Sequence, residues 1–436
     1  MKRHTFKIFA QVLIIVFIQV VTMGIAAYAD VSPGEKIDKS NWQKAEGLLP
    51  VSILNYVKKG DFILDIGELK DEPADFYSEE MKAIMKSNIG KYGLSDNGDI
   101  VEAATGKTIF VEGIPFPEID KNDPEAATKA MYNMHYERHV TGNLMFDVDI
   151  YWIARSGFER SVKGKYMSFL NTGYPGAKSL SNPNGFERRN IITITEPYDI
   201  QGTSVMLWRY LDSRRDNNYS YVPAIRRIRR MSPASRSDAF MGSDYTLDDT
   251  ASYDGKISDF NWKIISVQDA LIPYVSENAQ ELVPDPETGG VTLSKNVKGM
   301  LYGFQEKGWT GAPWAPVNVV WVKRKTLVIE GKPKDPYYNY GTCILWLDAA
   351  RNAAAFKINF DRADKYWKTC VHPLILLGTK DEKSKFIAWA GMVMVDDRTD
   401  HASVSVQCDP KLKWAWEIRN MKEDDYSLGG FQKFCK

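Results

Sequence analysis

From residue 144 onward the chain alternates apolar and polar positions with a period of two. Leu144, Phe146, Val148, Ile150 and Trp152 interleave with Asp147 and Asp149, the pattern of a strand that covers one face. Residues 190–196, 203–211, 219–229, 260–267, 316–329, 341–348, 354–360, 385–396 and 402–408 also read as strands, with Pro- and Gly-rich breaks at 173–185, 283–290 and 308–316. One apolar and one mixed face per strand suits an antiparallel sheet. Ahead of this the period is 3.6. Ser78-Glu79-Glu80 opens a stretch with Met81, Ile84, Met85 and Ile89 at helical spacing. Asp123-Pro124-Glu125 is a helix start, with Asp as the cap, Pro at the first position and an acid in the first turn. Ala127, Ala130, Met131 and Met134 share one face of that helix, and Thr141-Gly142-Asn143 stops it. A helical section followed by a run of strands argues for an α+β fold over an alternating parallel one. The expected division is a helical and loop segment over 30–142 and an antiparallel β domain over 143–436.

Residues 1–29 read as a secretory signal. Lys2, Arg3 and Lys7 precede an apolar run from Val12 to Val21, and Ala27-Tyr28-Ala29 fits a small-x-small cleavage site. Cleavage after Ala29 and a periplasmic location are expected. No later stretch approaches the ~20 apolar residues of a membrane span.

Composition narrows the class. The 436 residues carry 56 Lys+Arg and 56 Asp+Glu, with 44% hydrophobic and 26% charged residues, which is ordinary for a globular chain and argues against disorder. Loss of the signal leaves the mature chain at −3. A near-neutral chain argues against nucleic-acid binding, which favours a basic surplus. The aromatic share of 12%, with 22 Tyr and 12 Trp, suits half-buried β surfaces and amphipathic pockets. Cys343, Cys370, Cys408 and Cys435 all lie in the last quarter. Export permits a disulfide among them, with three possible pairings, and the absence of CxxC removes support for a zinc ribbon or redox pair.

Catalytic signatures are missing: there is no G-x-S-x-G, H-E-x-x-H or Walker A sequence. No enzyme activity, metal or cofactor is expected. His135 and His139 are four apart on a helix with Glu137 between them, a spacing that can bring two imidazoles to one metal. A third ligand is not evident, and Glu137 falls on another face. Asp244, Asp248, Asp249 and Asp254 hint at calcium but lack the EF-hand pattern.

Charge is sharply segregated at one place. Residues 209–236 sum to +6 and residues 238–259 to −5. Arg226, Arg227, Arg229 and Arg230 form the core of the basic part. Read as a strand, it sends arginines to both faces. The expectation is that these arginines pair with Asp244, Asp248 and Asp249 and pin a loop over the sheet, or that some of them hold an anionic head group, since the guanidinium fork suits both tasks.

Tyr221-Val222-Pro223, the arginine cluster, Phe240-Met241-Gly242-Ser243-Asp244-Tyr245 and Asp248-Asp249 resemble the outer-membrane lipoprotein-sorting group. A fuller set resembles the domain-of-unknown-function 1329 family: Gly113-Ile114-Pro115-Phe116-Pro117, Tyr253-Asp254-Gly255, Phe260-Asn261-Trp262-Lys263, Lys334-Asp335-Pro336, Leu345-Trp346-Leu347-Asp348 and Tyr366-Trp367-Lys368, in this order along nearly the whole mature chain. The resemblance implies a LolA/LolB-like fold, a curved antiparallel sheet forming an incomplete barrel whose concave face is covered by helices and loops. It also implies a periplasmic carrier of acyl chains or other hydrophobic cargo, working beside an RND-type exporter or an outer-membrane protein. It supplies no catalytic residues.

The physics suits that role. Exposing an alkyl chain to water costs about 0.8 kcal/mol per methylene, on the order of 12 kcal/mol for a chain of roughly sixteen carbons, so a carrier must enclose it. Phe146, Val148, Ile150 and Trp152, with Met206, Trp208 and Tyr210, are the candidate groove lining. The alternative is a non-catalytic accessory or structural subunit of an envelope assembly, with a filled sheet interior and an exposed aromatic patch.

Overall fold

The computed structural model describes residues 31–120 and 122–435; the signal segment lies outside them. The alternating pattern becomes a large, mostly antiparallel sheet of 20 strands, with few helices. Its spine runs without a break in antiparallel pairing. From one edge it passes Arg227–Met231, Asn217–Val222, Ser204–Tyr210, Phe186–Glu196, Gly157–Leu170 and Leu144–Ala154. It continues through His401–Val406, Gly391–Asp396, Tyr366–Val371, Ala354–Phe360, Thr342–Asp348, Val320–Pro333 and Phe260–Tyr274. The sheet does not close into a barrel. The N-terminal segment joins it, because Leu64–Gly67 pairs parallel to Val320–Pro333.

Several strands differ from the sequence pattern. The expected strand 219–229 is a hairpin: Arg227 opposes Val222, and the intervening turn holds Arg226 at φ 48°. The single expected strand 385–396 is two, Lys385–Trp389 and Gly391–Asp396. Gly157–Leu170 and Tyr366–Val371 were not anticipated. The first carries Lys, Arg, Ser and Gly in its outer half, which masks the alternation.

Register fixes the inner face. Directly opposed residues share a face of the sheet. One row runs Ile264, Ile329, Leu345, Lys357, Cys370, Met394, Ser403 and Trp152. Another runs Phe146, Tyr166, Ile192, Val205, Ser220 and Arg229.

Two elements cover this face. The helix Ala126–Glu137 is buried almost all round, beyond the single apolar face that its spacing suggests. Its polar side chains are bonded inward: Asn133 exchanges bonds with the Phe116 backbone at 3.0 and 2.7 Å, and Glu137 accepts from Tyr77 Oη at 2.7 Å and from Arg351. Its regular turns begin at Ala126, while Asp123 caps the preceding turn through the Glu125 amide at 2.8 Å. By contrast, Ser78 caps Glu79–Asn88 as the sequence suggests, accepting from the Met81 amide. The second cover is the irregular segment 232–259, which leaves one sheet edge at Met231 and rejoins the other at Phe260. Among the described residues no helix is long and apolar enough to cross a membrane.

Candidate functional site

Between the inner face and segment 232–259 lie two adjoining hollows of about 80 and 90 Å³. The first has Val148, Ile150, Ile192, Val205 and Leu207 as its floor, with Phe240, Tyr245 and Leu247 of the covering segment above. The second is walled by Leu144, Leu170, Trp389, Trp414 and Trp416. Phe146 and Tyr166 belong to both. Phe146 lies parallel to Trp414 with ring centroids 4.1 Å apart and 4.8 Å from Tyr166. A continuous aromatic wall therefore joins the two. A larger cavity, about 540 Å³, lies near Pro333–Tyr338 and is bordered by Arg215, Asp216, Lys256, Asp259, Lys334 and Asp335. That mixed-charge lining suits water and ions over an alkyl chain.

A buried polar network borders both hollows. Arg138 Nη1 and Arg188 Nη2 each donate to Asp254 Oδ1 at 2.6 Å. Arg236 reaches Asp254 Oδ2 at 3.2 Å and Asp248 at 2.6 Å. Arg209 pairs with Asp216 at 2.6 Å and donates to the Asp254 carbonyl at 2.9 Å. Burial alone would raise the Asp254 pKa, but Arg188, Arg138, Arg209 and Arg236 hold it well below the usual carboxylate range. The Asn190 amide, with its oxygen turned inward, accepts from Tyr166 Oη and Arg188 Nη1 at 2.8 Å.

Further ion pairs and hydrogen bonds fix the covering segment to the sheet. Asp244 accepts from Ser403 Oγ at 2.7 Å and pairs with His401 Nδ1 at 2.6 Å. Asp249 accepts from Lys357 Nζ at 2.6 Å and Tyr340 Oη at 3.0 Å. Trp152 Nε1 donates to the Gly242 carbonyl at 2.9 Å. The four aspartates once suggestive of calcium are thus engaged by protein donors.

His135, His139 and Glu187 bring three ligand-type atoms within 4.8 Å of one another, all buried. The third ligand was hidden from sequence reasoning because it comes from a distant strand. The donor set does not favour a cation. Arg138 donates to His135 Nδ1 at 3.0 Å, so Nε2 carries the proton and donates to Glu187 at 2.7 Å. Burial, followed by the charges of Arg138, Arg188 and Arg209, pushes His135 well below its ordinary pKa. The same guanidinium groups would repel a metal ion.

The structure divides the residues singled out in the sequence. Phe146, Val148 and Ile150 line the first hollow, and Trp152 shares their face. Met206, Trp208 and Tyr210 are a correction: they point to the outer face, and Val205 and Leu207 take the inner positions. Met206 and Trp208 pack with Tyr426 and Phe431 of the C-terminal segment, and Trp208 Nε1 donates to the Tyr426 carbonyl at 2.8 Å. Tyr210 stacks on Phe186 with centroids 5.2 Å apart.

The arginine cluster is a second correction. Arg226, Arg227, Arg229 and Arg230 are exposed on the edge hairpin, where Arg230 bonds Asn217. Asp244, Asp248 and Asp249 instead take His401, Arg236 and Lys357. The loop is pinned by ion pairs as expected, but by different cations.

The cysteines are a third. Cys343, Cys370, Cys408 and Cys435 are buried free thiols. Cys343 opposes Asn359 and Cys370 opposes Lys357, so the strand Ala354–Phe360 stands between these two. Cys435 lies in the outer cluster.

No curated protein matches this chain. Among solved structures it is similar to a domain described as outer-membrane lipoprotein-sorting from Vibrio parahaemolyticus, at 14% identity and a TM-score of 0.46, over 71% of this chain and all of that one. It is similar to a DUF1329 family protein from Desulfovibrio piger, at 13% identity and 0.47, over 71% and 100%. It is also similar to a LolA superfamily protein from Nitrosomonas europaea, at 12% identity and 0.40, over 69% and 98%. The family model described as "Protein of unknown function (DUF1329)" matches residues 36–431, and the chain belongs to that family.

Proposed function

We propose that the chain is a non-catalytic periplasmic carrier that shields the apolar part of a lipid, lipoprotein or other hydrophobic molecule between the inner face of the sheet and segment 232–259. The observation that carries this reading is the aromatic wall through Phe146, which joins two apolar hollows beneath the covering segment. At about 80 and 90 Å³ the hollows are well short of the ~300 Å³ of a small-molecule site, so loading displaces Phe240, Tyr245 and Leu247. The export signal read at 1–29 supports the location, and an RND-type exporter or an outer-membrane protein is the proposed partner. Titration with a fluorescent acyl probe tests the reading. Val205→Trp, which fills the first hollow, is expected to weaken binding at least about tenfold; unchanged affinity would contradict it.

The small interior favours a second reading, an accessory subunit of an envelope assembly. Exposed Tyr198, Tyr337 and Phe158 offer aromatic contact surface. Crosslinking in the periplasm separates the two: the accessory role requires a recovered protein partner, and carriage requires bound lipid.

A further inference from the structure

Resting on the carrier reading, we propose that the cargo bears an anionic head group, a carboxylate or a phosphate ester, and seats it on Arg138, Arg188 and His139 in the second hollow.

The hollow is chemically lopsided. Its walls are Leu144, Leu170 and three tryptophans, whereas Arg138, Arg188 and the His139 imidazole, which burial holds well below its ordinary pKa, supply a polar side. A purely apolar cargo makes no use of such a side.

These groups have donors left over. Arg138 Nε and Arg188 Nε are buried without an acceptor, and neither ring nitrogen of His139 has a partner. His139 is 2% exposed and Arg188 3%. Buried donors are nearly always paired in folded proteins. An unused Nε–H on each of Arg138 and Arg188 and an unpartnered His139 ring, all lining one hollow, therefore point to a ligand that hydrogen-bonds there.

The surrounding charges are paired, Arg236 with Asp248, Arg209 with Asp216 and Arg138 and Arg188 with Asp254, so the free N–H groups carry the assignment and not a surplus of charge. Arg138 and Arg188 both direct their charge to a single oxygen, Asp254 Oδ1, and Arg236 shares the same carboxylate. Glu187 stands 3.6 Å from Arg188 Nε, but its bond is taken from His135 Nε2. A further anion thus meets one free Nε–H on each guanidinium, a charged donor that strengthens the hydrogen bond it makes. A cation would face the same donors. With the head so placed, the tail lies along the Phe146–Trp414 stack toward Val205 and Ile192.

The test is calorimetric titration of the purified exported chain with four amphiphiles of one tail length: dodecanoate, dodecyl phosphate, dodecanol and dodecylammonium. Dodecanoate or dodecyl phosphate is expected to bind at least tenfold tighter than dodecanol, with dodecylammonium weakest. Whichever anion binds tighter tells a fatty-acid head from a phospholipid-type head. Arg188→Gln is expected to lower the anion-to-alcohol ratio to threefold or less, and His139→Gln to lower it in part. The wild-type ratio decides the proposal even if a variant does not fold. Equal affinity for dodecanol and both anions overturns the head-group assignment while leaving carriage intact. Failure of all four to bind overturns carriage itself.

Discussion

Lys357 Nζ lies 2.6 Å from Asp249 Oδ1 with both side chains enclosed, joining the middle of the covering segment to the strand Ala354–Phe360. Burial alone would raise the Asp249 pKa, but the Lys357 ammonium holds it below the ordinary value. Removing one partner strands the other charge in a dry interior. Asp249→Ala is therefore expected to cost about 3–5 kcal/mol, and the pair Asp249→Leu with Lys357→Met much less. Urea unfolding of the native protein and the two variants checks this; equal losses would contradict a buried pair.

A second tie depends on pH. The Asp244 carboxylate, with Glu159 Oε2 3.4 Å from the other ring nitrogen, raises the His401 pKa. The stability that the protonated pair contributes is fully present below the unfolded value of about 6.5 and is lost as pH rises through the raised folded value. The melting temperature is thus expected to fall between about pH 6 and 9, and less so in His401→Gln. Parallel profiles for the two proteins would remove this tie from the account. Asp254 and Asp249 act at the other end. Their pKa values are lowered, so their contribution holds above about pH 4 and fades as pH falls through the folded values.

Thiol chemistry gives a third check. Burial pushes Cys343 up to about 11 and Cys370 and Cys408 also upward, and a protonated, enclosed thiol is a poor nucleophile. The native protein is expected to react slowly with a disulfide reagent at pH 8, and the denatured protein to titrate all four cysteines without prior reduction. Fewer than four would mean a disulfide forms.

Residues on opposite faces of one strand should behave differently. Val205 faces the hollow and Trp208 faces Tyr426. Trp208→Ala is expected to destabilise by about 3 kcal/mol and to leave acyl binding within twofold, whereas Val205→Trp blocks binding. Equal effects of the two on binding would show that the faces are wrongly assigned.

Much of the sheet was legible because strands such as Leu144–Ala154 cover only one face, so their alternation survives. The strand Ser204–Tyr210 was legible as a strand but not in its orientation. Val205 and Leu207 serve the hollow while Met206 and Trp208 serve the outer cluster, and apolar residues on both faces erase the signal. The charge segregation located the covering segment correctly. It misassigned the partners, because ion pairs follow the fold: Asp254 meets Arg138 and Arg188 from far upstream, while the nearby Arg226–Arg230 run turns into solvent. The His135–Glu187 contact was invisible for the same reason.

Carriage itself is tested most directly by native mass spectrometry of the protein as the cell processes it, purified without detergent. The expected spectrum shows, beside the bare chain, a species heavier by the mass of one lipid-class molecule, which is lost in Val205→Trp. A spectrum of the bare chain alone, with no lipid in a solvent extract of the same sample, would contradict the account.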